Sequence, residues 1–157
     1  MNQPAVYPDP KTLTEWRRDF HRHPEIAFEE TRTSQRIVEI LREHGLDPVT
    51  GLGGGTGVVV TIEGNRGPGR AIGLRADIDA LPIEELNDVD YRSTIPGRMH
   101  ACGHDGHTTM LLGAACALAK APDFAGRVHC IFQPAEESEG GGRVMVEEGL
   151  FERFPMD

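Results

Sequence analysis

Cysteine is scarce, three residues in 157 with no C-x-x-C pair, and that scarcity removes two readings at once. An odd number of widely spaced thiols does not make a disulfide framework, and a closed structural zinc site draws on several cysteines. Long apolar runs are missing too. The longest mainly apolar stretch, Met110 to Ala119, is too short to cross a bilayer and reads as a buried helix. The N-terminus, Met1-Asn2-Gln3-Pro4-Ala5-Val6-Tyr7-Pro8, lacks a basic segment followed by an apolar core, so the expectation is a cytoplasmic chain without a secretory signal. Basic charge is in the minority, 16 Lys and Arg against 25 Asp and Glu. A net charge of -9 repels phosphate backbones and anionic lipid, which speaks against nucleic acid and membrane as partners. Most of the acids read as a solubilising surface.

The length suits one ordinary domain with a core, and 19 glycines supply many turns. Thr12-Leu13-Thr14-Glu15 has capping-box spacing, and Leu13, Trp16 and Phe20 recur on one face, which predicts a helix ending near His23, before Pro24. A second helix is predicted over about 30–44, with Ile37, Ile40 and Leu41 inward and Gly45 as a left-handed cap. Gly51-Leu52-Gly53-Gly54-Gly55-Thr56-Gly57 invites a nucleotide-binding reading, but every placement of G-x-G-x-x-G fails at the last glycine and no lysine completes a P-loop. It also precedes a strand, 58–62, where a phosphate loop should follow one, so it reads as a turn.

Turn chemistry over 64–69 predicts a hairpin between that strand and the next, about 70–76. In the second strand Ile72, Leu74 and Ala76 share one face. Arg75, Asp77 and, with continued extension, Asp79 share the other, a polar face that can project toward a site. A loop over about 80–103, broken by Pro82, Pro96 and Gly97, leads into a helix over about 105–120 with Asp105 as N-cap. Val128, Cys130 and Phe132 alternate with His129, Ile131 and Gln133, a strand covered on both sides and ended by Pro134. Cys116 and Cys130 fall in apolar segments and read as core. Gly140-Gly141-Gly142 precedes a short helical pattern near 144–148.

Chemistry concentrates in Met99-His100-Ala101-Cys102-Gly103-His104-Asp105-Gly106-His107 and, one strand later, in Pro134-Ala135-Glu136-Glu137. A thiolate, imidazoles and a carboxylate suit zinc and its first-row neighbours, and a second carboxylate supplies the base that hydrolysis needs. Parallel strand ends gather such distant groups at one edge of a sheet. Adjacent carboxylates diverge, so one of Glu136 and Glu137 can bind metal while the other stands beside water; a solvated acidic loop is the plain alternative. His100 and His104 form H-x-x-x-H without the internal glutamate of zincin proteases. A thiol-nucleophile enzyme is the rival use of Cys102, but His104 is too close in sequence to face it comfortably, and the glutamate pair would have no role.

Phe20-His21-Arg22-His23-Pro24-Glu25, Arg75-Ala76-Asp77-Ile78-Asp79-Ala80-Leu81-Pro82, Met99 to His107, and Phe132-Gln133-Pro134-Ala135-Glu136-Glu137 together resemble four successive motifs of the hippurate hydrolase and N-acyl-amino-acid amidohydrolase family, the aminoacylase-like branch of the dinuclear-metal carboxypeptidases. The resemblance implies an α/β fold, a three-layer α/β/α catalytic-domain portion with a mixed sheet. Residues 1–157 would be its N-terminal part, truncated before the lid or dimerisation domain. It implies two divalent ions, zinc or manganese, with cobalt or nickel as substitutes. Cys102 would bridge them, His104 would bind one and Glu137 the other. Glu136 would be the general base that acts on the attacking water, and Asp77 would orient a neighbour; His100 and His107 would support. The implied substrate is a small N-acyl amino acid, and a homo-oligomer is compatible with the pattern. Family chains are much longer and continue into two further histidine ligands. Three ligands for two ions leave a weak, open site unless another chain completes it. The competing expectation is therefore a catalytically incomplete metal-binding or interaction fragment of the same fold.

Overall fold

The computed structural model describes residues 7–157. The first six residues, on which much of the reading of the N-terminus rests, lie outside the described residues. Helix α1 (Pro10–Arg22) is capped by Asp9, whose carboxylate accepts from the N–H groups of Lys11 at 2.9 Å and Thr12 at 3.2 Å. The cap thus precedes the expected Thr12 box, because Pro10 at the first helical position has no N–H to satisfy and a φ already suited to the helix. Helix α2 (Thr31–Glu43) receives its N-terminal cap from a distance: the Glu25 carboxylate accepts from Arg32 N at 3.1 Å and Thr33 N at 2.7 Å. Its other end closes as expected, with Gly45 left-handed and Leu46 N bonded to Leu41 O at 3.0 Å.

Strands β1 (Val49–Leu52) and β2 (Gly57–Glu63) form an antiparallel hairpin around the glycine-rich turn. Strands β3 (Ala71–Asp77) and β4 (Arg127–Gln133) complete a mixed sheet of order β1-β2-β4-β3. The expected hairpin between β2 and β3 does not form, because β4 lies between them, antiparallel to β2 and parallel to β3. Turn 64–69 spends its backbone bonds on the segment before β4: Gly64 N reaches Gly126 O at 2.8 Å and Arg66 N reaches Phe124 O at 3.0 Å. A six-residue turn spans two strand spacings, roughly 10 Å, and so steps over one strand.

Helix α3 (His104–Lys120) provides the crossover that a parallel pair requires. It begins one residue earlier than expected, after a left-handed Gly103, and Asp105 is not its N-cap. That carboxylate is fully buried and turned toward α1, where Arg17 Nε at 2.8 Å and His21 Nδ1 at 2.7 Å take it. Ionic partners outcompete the cap.

On one face of the sheet α1, α2 and α3 bury Phe20, Ile37, Leu41 and Leu112 against Val58, Val60, Cys130 and Phe132. On the other, α4 (Gly141–Glu147) and α5 (Leu150–Arg153) bury Met145 and Leu150 against Val59 and Ile131. The three expected layers are present. Consecutive residues of β2 and β4 are buried because both faces are covered, each large aliphatic side chain contributing about 1.5–3 kcal/mol. Cys116 and Cys130 are core thiols, pushed up by burial to about 11 and about 12. Among the described residues no helix is long and apolar enough to cross a membrane.

Candidate metal centre

Because β3 and β4 run parallel, with Asp77 in register with Gln133, the chain leaves both strands at the same edge of the sheet. The segment after β3 brings Asp79, the segment after β4 brings Glu136 and Glu137, and the first residue of α3 is His104. A crevice at the carboxyl ends of parallel strands is where α/β proteins place their ligands. Single ligand atoms of Cys102, His104 and Glu137 lie within 4.8 Å of one another, and those of Asp77, His104 and His107 meet the same limit. His104 is common to both sets.

Its ring is fixed from behind. Nδ1 lies 2.9 Å from the Asp79 backbone oxygen and 3.2 Å from Asp79 Oδ1. A carbonyl oxygen only accepts, so Nδ1 carries the hydrogen, and in the neutral ring Nε2 presents its lone pair to the crevice. Around Nε2 stand Asp77 Oδ1 at 3.6 Å, Glu137 Oε1 at 3.6 Å and Glu136 Oε2 at 3.9 Å. Burial opposes a proton on His104, but the Asp79 hydrogen bond and the charges of Asp77, Asp79 and Glu137 outweigh it and hold its pKa above the ordinary histidine value. Asp79 is pulled the other way: burial raises it, and bonds from His104 and from the N–H groups of Glu137 and Glu136 bring it below the usual range.

Glu137 Oε1 is buried and has no hydrogen-bond partner among the described residues. An orphaned carboxylate oxygen beside an imidazole lone pair and a thiol is a set of donors without its acceptor, and a divalent cation fits it. The mixture of sulfur, nitrogen and oxygen suits zinc and its neighbours, and three protein donors leave a position open, as catalytic sites do. Glu136 is more exposed than Glu137, 41% of its side chain against 21%, so Glu137 sits deeper and Glu136 nearer the rim, although both carboxylates approach the same His104 nitrogen.

Cys102 and His104, two residues apart at the mouth of the loop, converge with Glu137. The electrostatic setting of Cys102 is unfavourable to a thiol nucleophile. The neighbouring Glu137 carboxylate, with smaller effects from what little burial the exposed thiol has and from the charges of Asp77 and Glu136, pushes Cys102 up, whereas a nucleophilic cysteine needs an electropositive setting. Asp77 bonds His107 Nδ1 at 2.7 Å and lies 3.5 Å from Arg75 Nη1. His100 is buried with neither ring nitrogen paired among the described residues, and burial drives its pKa down to about 4. A cavity of about 490 Å³ adjoins Cys102, with His21, Tyr91, Met99 and His100 in its wall. A larger cleft of about 640 Å³, along Leu13 and Met110, touches none of the candidate ligands. Sequence reasoning gave Asp79 no role at the site; its only signal was the Asp77-Ile78-Asp79 alternation at a strand end.

Fold and donor set together are those of an α/β chain with a candidate metal centre at the carboxyl edge of its sheet. The chain belongs to peptidase family M20/M25/M40, whose profile matches residues 73–157. It is 46% identical over 149 residues to thermostable carboxypeptidase 2 of Saccharolobus solfataricus, covering 90% of this chain and 38% of that one. It is likewise 46% identical over 142 residues to the hippurate hydrolase of Campylobacter jejuni, covering 90% and 36%. Among solved structures, the Bacillus subtilis YXEP protein, a dinuclear metal binding peptidase from the M20 family, superposes with a TM-score of 0.85 at 42% identity, covering 90% of this chain and 40% of that one. The chain spans 36 to 38% of the length of the two curated relatives.

Proposed function

We propose that this chain carries the metal-holding part of an amidohydrolase that cleaves the amide bond of N-acyl amino acids, hippurate-like compounds among them, with Glu136 as general base. The observation that carries this reading is the unpartnered Glu137 Oε1 facing His104 Nε2 at 3.6 Å, with the Glu136 carboxylate 3.9 Å from the same nitrogen. Cys102, His104 and Glu137 would hold divalent metal there, zinc or manganese. Metal bound there supplies Lewis acidity toward the scissile carbonyl and eases loss of a proton from water.

The remaining work falls to side chains. Glu136, at the rim, takes a proton from the attacking water as its oxygen bonds to the carbonyl carbon, then returns a proton to the amine nitrogen as the C–N bond breaks. Asp79 keeps the His104 hydrogen on Nδ1 and holds the Glu137 backbone at 3.0 Å, so both ligands arrive oriented. Asp77 steadies His107 and adds negative charge beside the cation. The relative that hydrolyses hippurate supports the substrate class.

Release of amino acid from hippurate and a panel of N-acyl amino acids, with zinc or manganese supplied, tests the proposal. Release is expected from the parent and at least about 100-fold less from Glu136→Gln, with metal still bound. Equal release in both overturns the assignment of the base. No release from either contradicts a working hydrolase in this chain by itself and leaves the metal-binding fragment. Release that survives chelation favours a thiol nucleophile.

A further inference from the structure

We infer that Glu30 is a positioning residue for the metal centre: its buried carboxylate clamps the Ala135 backbone and so sets where Glu137 meets the cation. The inference rests on the metal-centre reading above. Glu30 sits immediately before α2 and is 0% exposed. Its Oε1 accepts from the Ala135 N–H at 2.9 Å and its Oε2 from the Thr56 hydroxyl at 2.9 Å. Three distant segments therefore meet at one carboxylate: the start of α2, the glycine-rich turn of the β1-β2 hairpin, and the loop that carries the glutamate pair.

What Glu30 holds is strained. Ala135 has φ +51, a left-handed conformation that is unfavourable for a residue with a Cβ and persists only where its surroundings enforce it. Its N–H is held by Glu30 and its C=O accepts from Gly141 N at 3.0 Å. Two residues later the Glu137 N–H is held by Asp79 Oδ2 at 3.0 Å. The run 135–137 is thus fixed at both ends, which is how Glu137 Oε1 can stay buried and unpartnered. Removing the Glu30 carboxylate strands the Ala135 N–H and the Thr56 hydroxyl and lets the strained residue relax.

Zinc affinity, measured on the chain by competition with a chromogenic chelator, reads the position of Glu137 without any need for turnover. Glu30→Ala is expected to weaken zinc at least about tenfold while circular dichroism shows a folded protein; Glu30→Gln should stay within about threefold of the parent, because its amide oxygen still accepts from Ala135 and its NH2 can donate to Thr56. Leu41→Ala, a core truncation in α2, controls for lost stability and should bind zinc as the parent does. Parent-like affinity in Glu30→Ala, or an equal loss in Leu41→Ala, overturns the inference. Should Glu30→Ala fail to fold, Thr56→Val frees one side of the clamp, with a loss of about fivefold or more expected and an affinity within about threefold of the parent overturning the idea. A parent that binds zinc no better than Cys102→Ser overturns the metal-centre reading and this inference together, which separates the two failures.

Discussion

Removing Asp105 should destabilise the protein by an amount that depends on pH. This carboxylate is fully buried, with Oδ2 at 2.7 Å from His21 Nδ1 and 2.8 Å from Arg17 Nε, and Oδ1 accepting from Gly106 N at 2.8 Å. The other His21 nitrogen meets Glu85 Oε1 at 3.1 Å. Both partners of the ring are carboxylates, so His21 donates from both nitrogens and is an imidazolium. The Asp105 hydrogen bond lifts its pKa above the ordinary value, although burial pulls the other way. Taking away one partner of a buried pair costs about 3–5 kcal/mol, because it strands the other charge. Arg17 is 37% exposed along its side chain and can return to water, which places Asp105→Ala at the low end, roughly 3 kcal/mol. For a chain of this size that is a fall of roughly 6–12 °C in Tm.

The sign of the pH effect follows from the raised pKa. His21 stabilises the parent fully below its unfolded value of 6.5, and this contribution fades as pH rises through the higher folded value. In the variant the ring has lost the partner that raised it and sheds its proton more readily. The gap between parent and Asp105→Ala should therefore be widest near about pH 6 and narrow toward about pH 8.5. Thermal unfolding followed by circular dichroism at the two pH values measures both terms. A loss under about 1 kcal/mol, or a gap that fails to narrow, refutes an imidazolium held between two carboxylates.

Gly141→Ala places a Cβ 1.9 Å from the Pro134 backbone oxygen, which no side-chain rotation relieves. Thermal unfolding should show a cost of about 1–3 kcal/mol, and an unchanged Tm would contradict the close approach. An uncharged alkylating reagent should label one of the three thiols in the folded protein, since Cys102 is exposed while Cys116 and Cys130 are buried; mass spectrometry showing either core thiol modified at the same rate contradicts the packing.

The fold was legible where periodicity and turn chemistry are local. Ile37, Ile40 and Leu41 marked the inner face of α2, and the two-sided burial of β4 followed from a strand apolar on one face and partly apolar, through Ile131, on the other. The order of strands was not legible, because turn 64–69 looks the same whether it joins neighbours or steps over β4. Caps were misassigned for a related reason. Thr12 and Asp105 have suitable side chains, but Pro10 fixes an earlier start in one case and buried partners on α1 take the carboxylate in the other. At the site, Cys102, His104 and the glutamate pair stood out because thiol, imidazole and carboxylate lie in short motifs. Asp79 and Glu30 did not, since each acts through a contact across the fold: Asp79 with His104 and Glu137, Glu30 with Ala135 and Thr56.

The most direct test of the central claim, that Cys102, His104 and Glu137 bind one cation together, is a cobalt(II) titration of the chain followed by absorption spectroscopy. The parent should develop the near-ultraviolet charge-transfer band of a thiolate-cobalt bond together with visible bands of low coordination number. Cys102→Ser should lose the charge-transfer band, and His104→Ala and Glu137→Ala should each weaken cobalt binding by about tenfold or more. A parent without the thiolate band, or one whose spectrum and affinity survive all three substitutions, would contradict the metal centre described above.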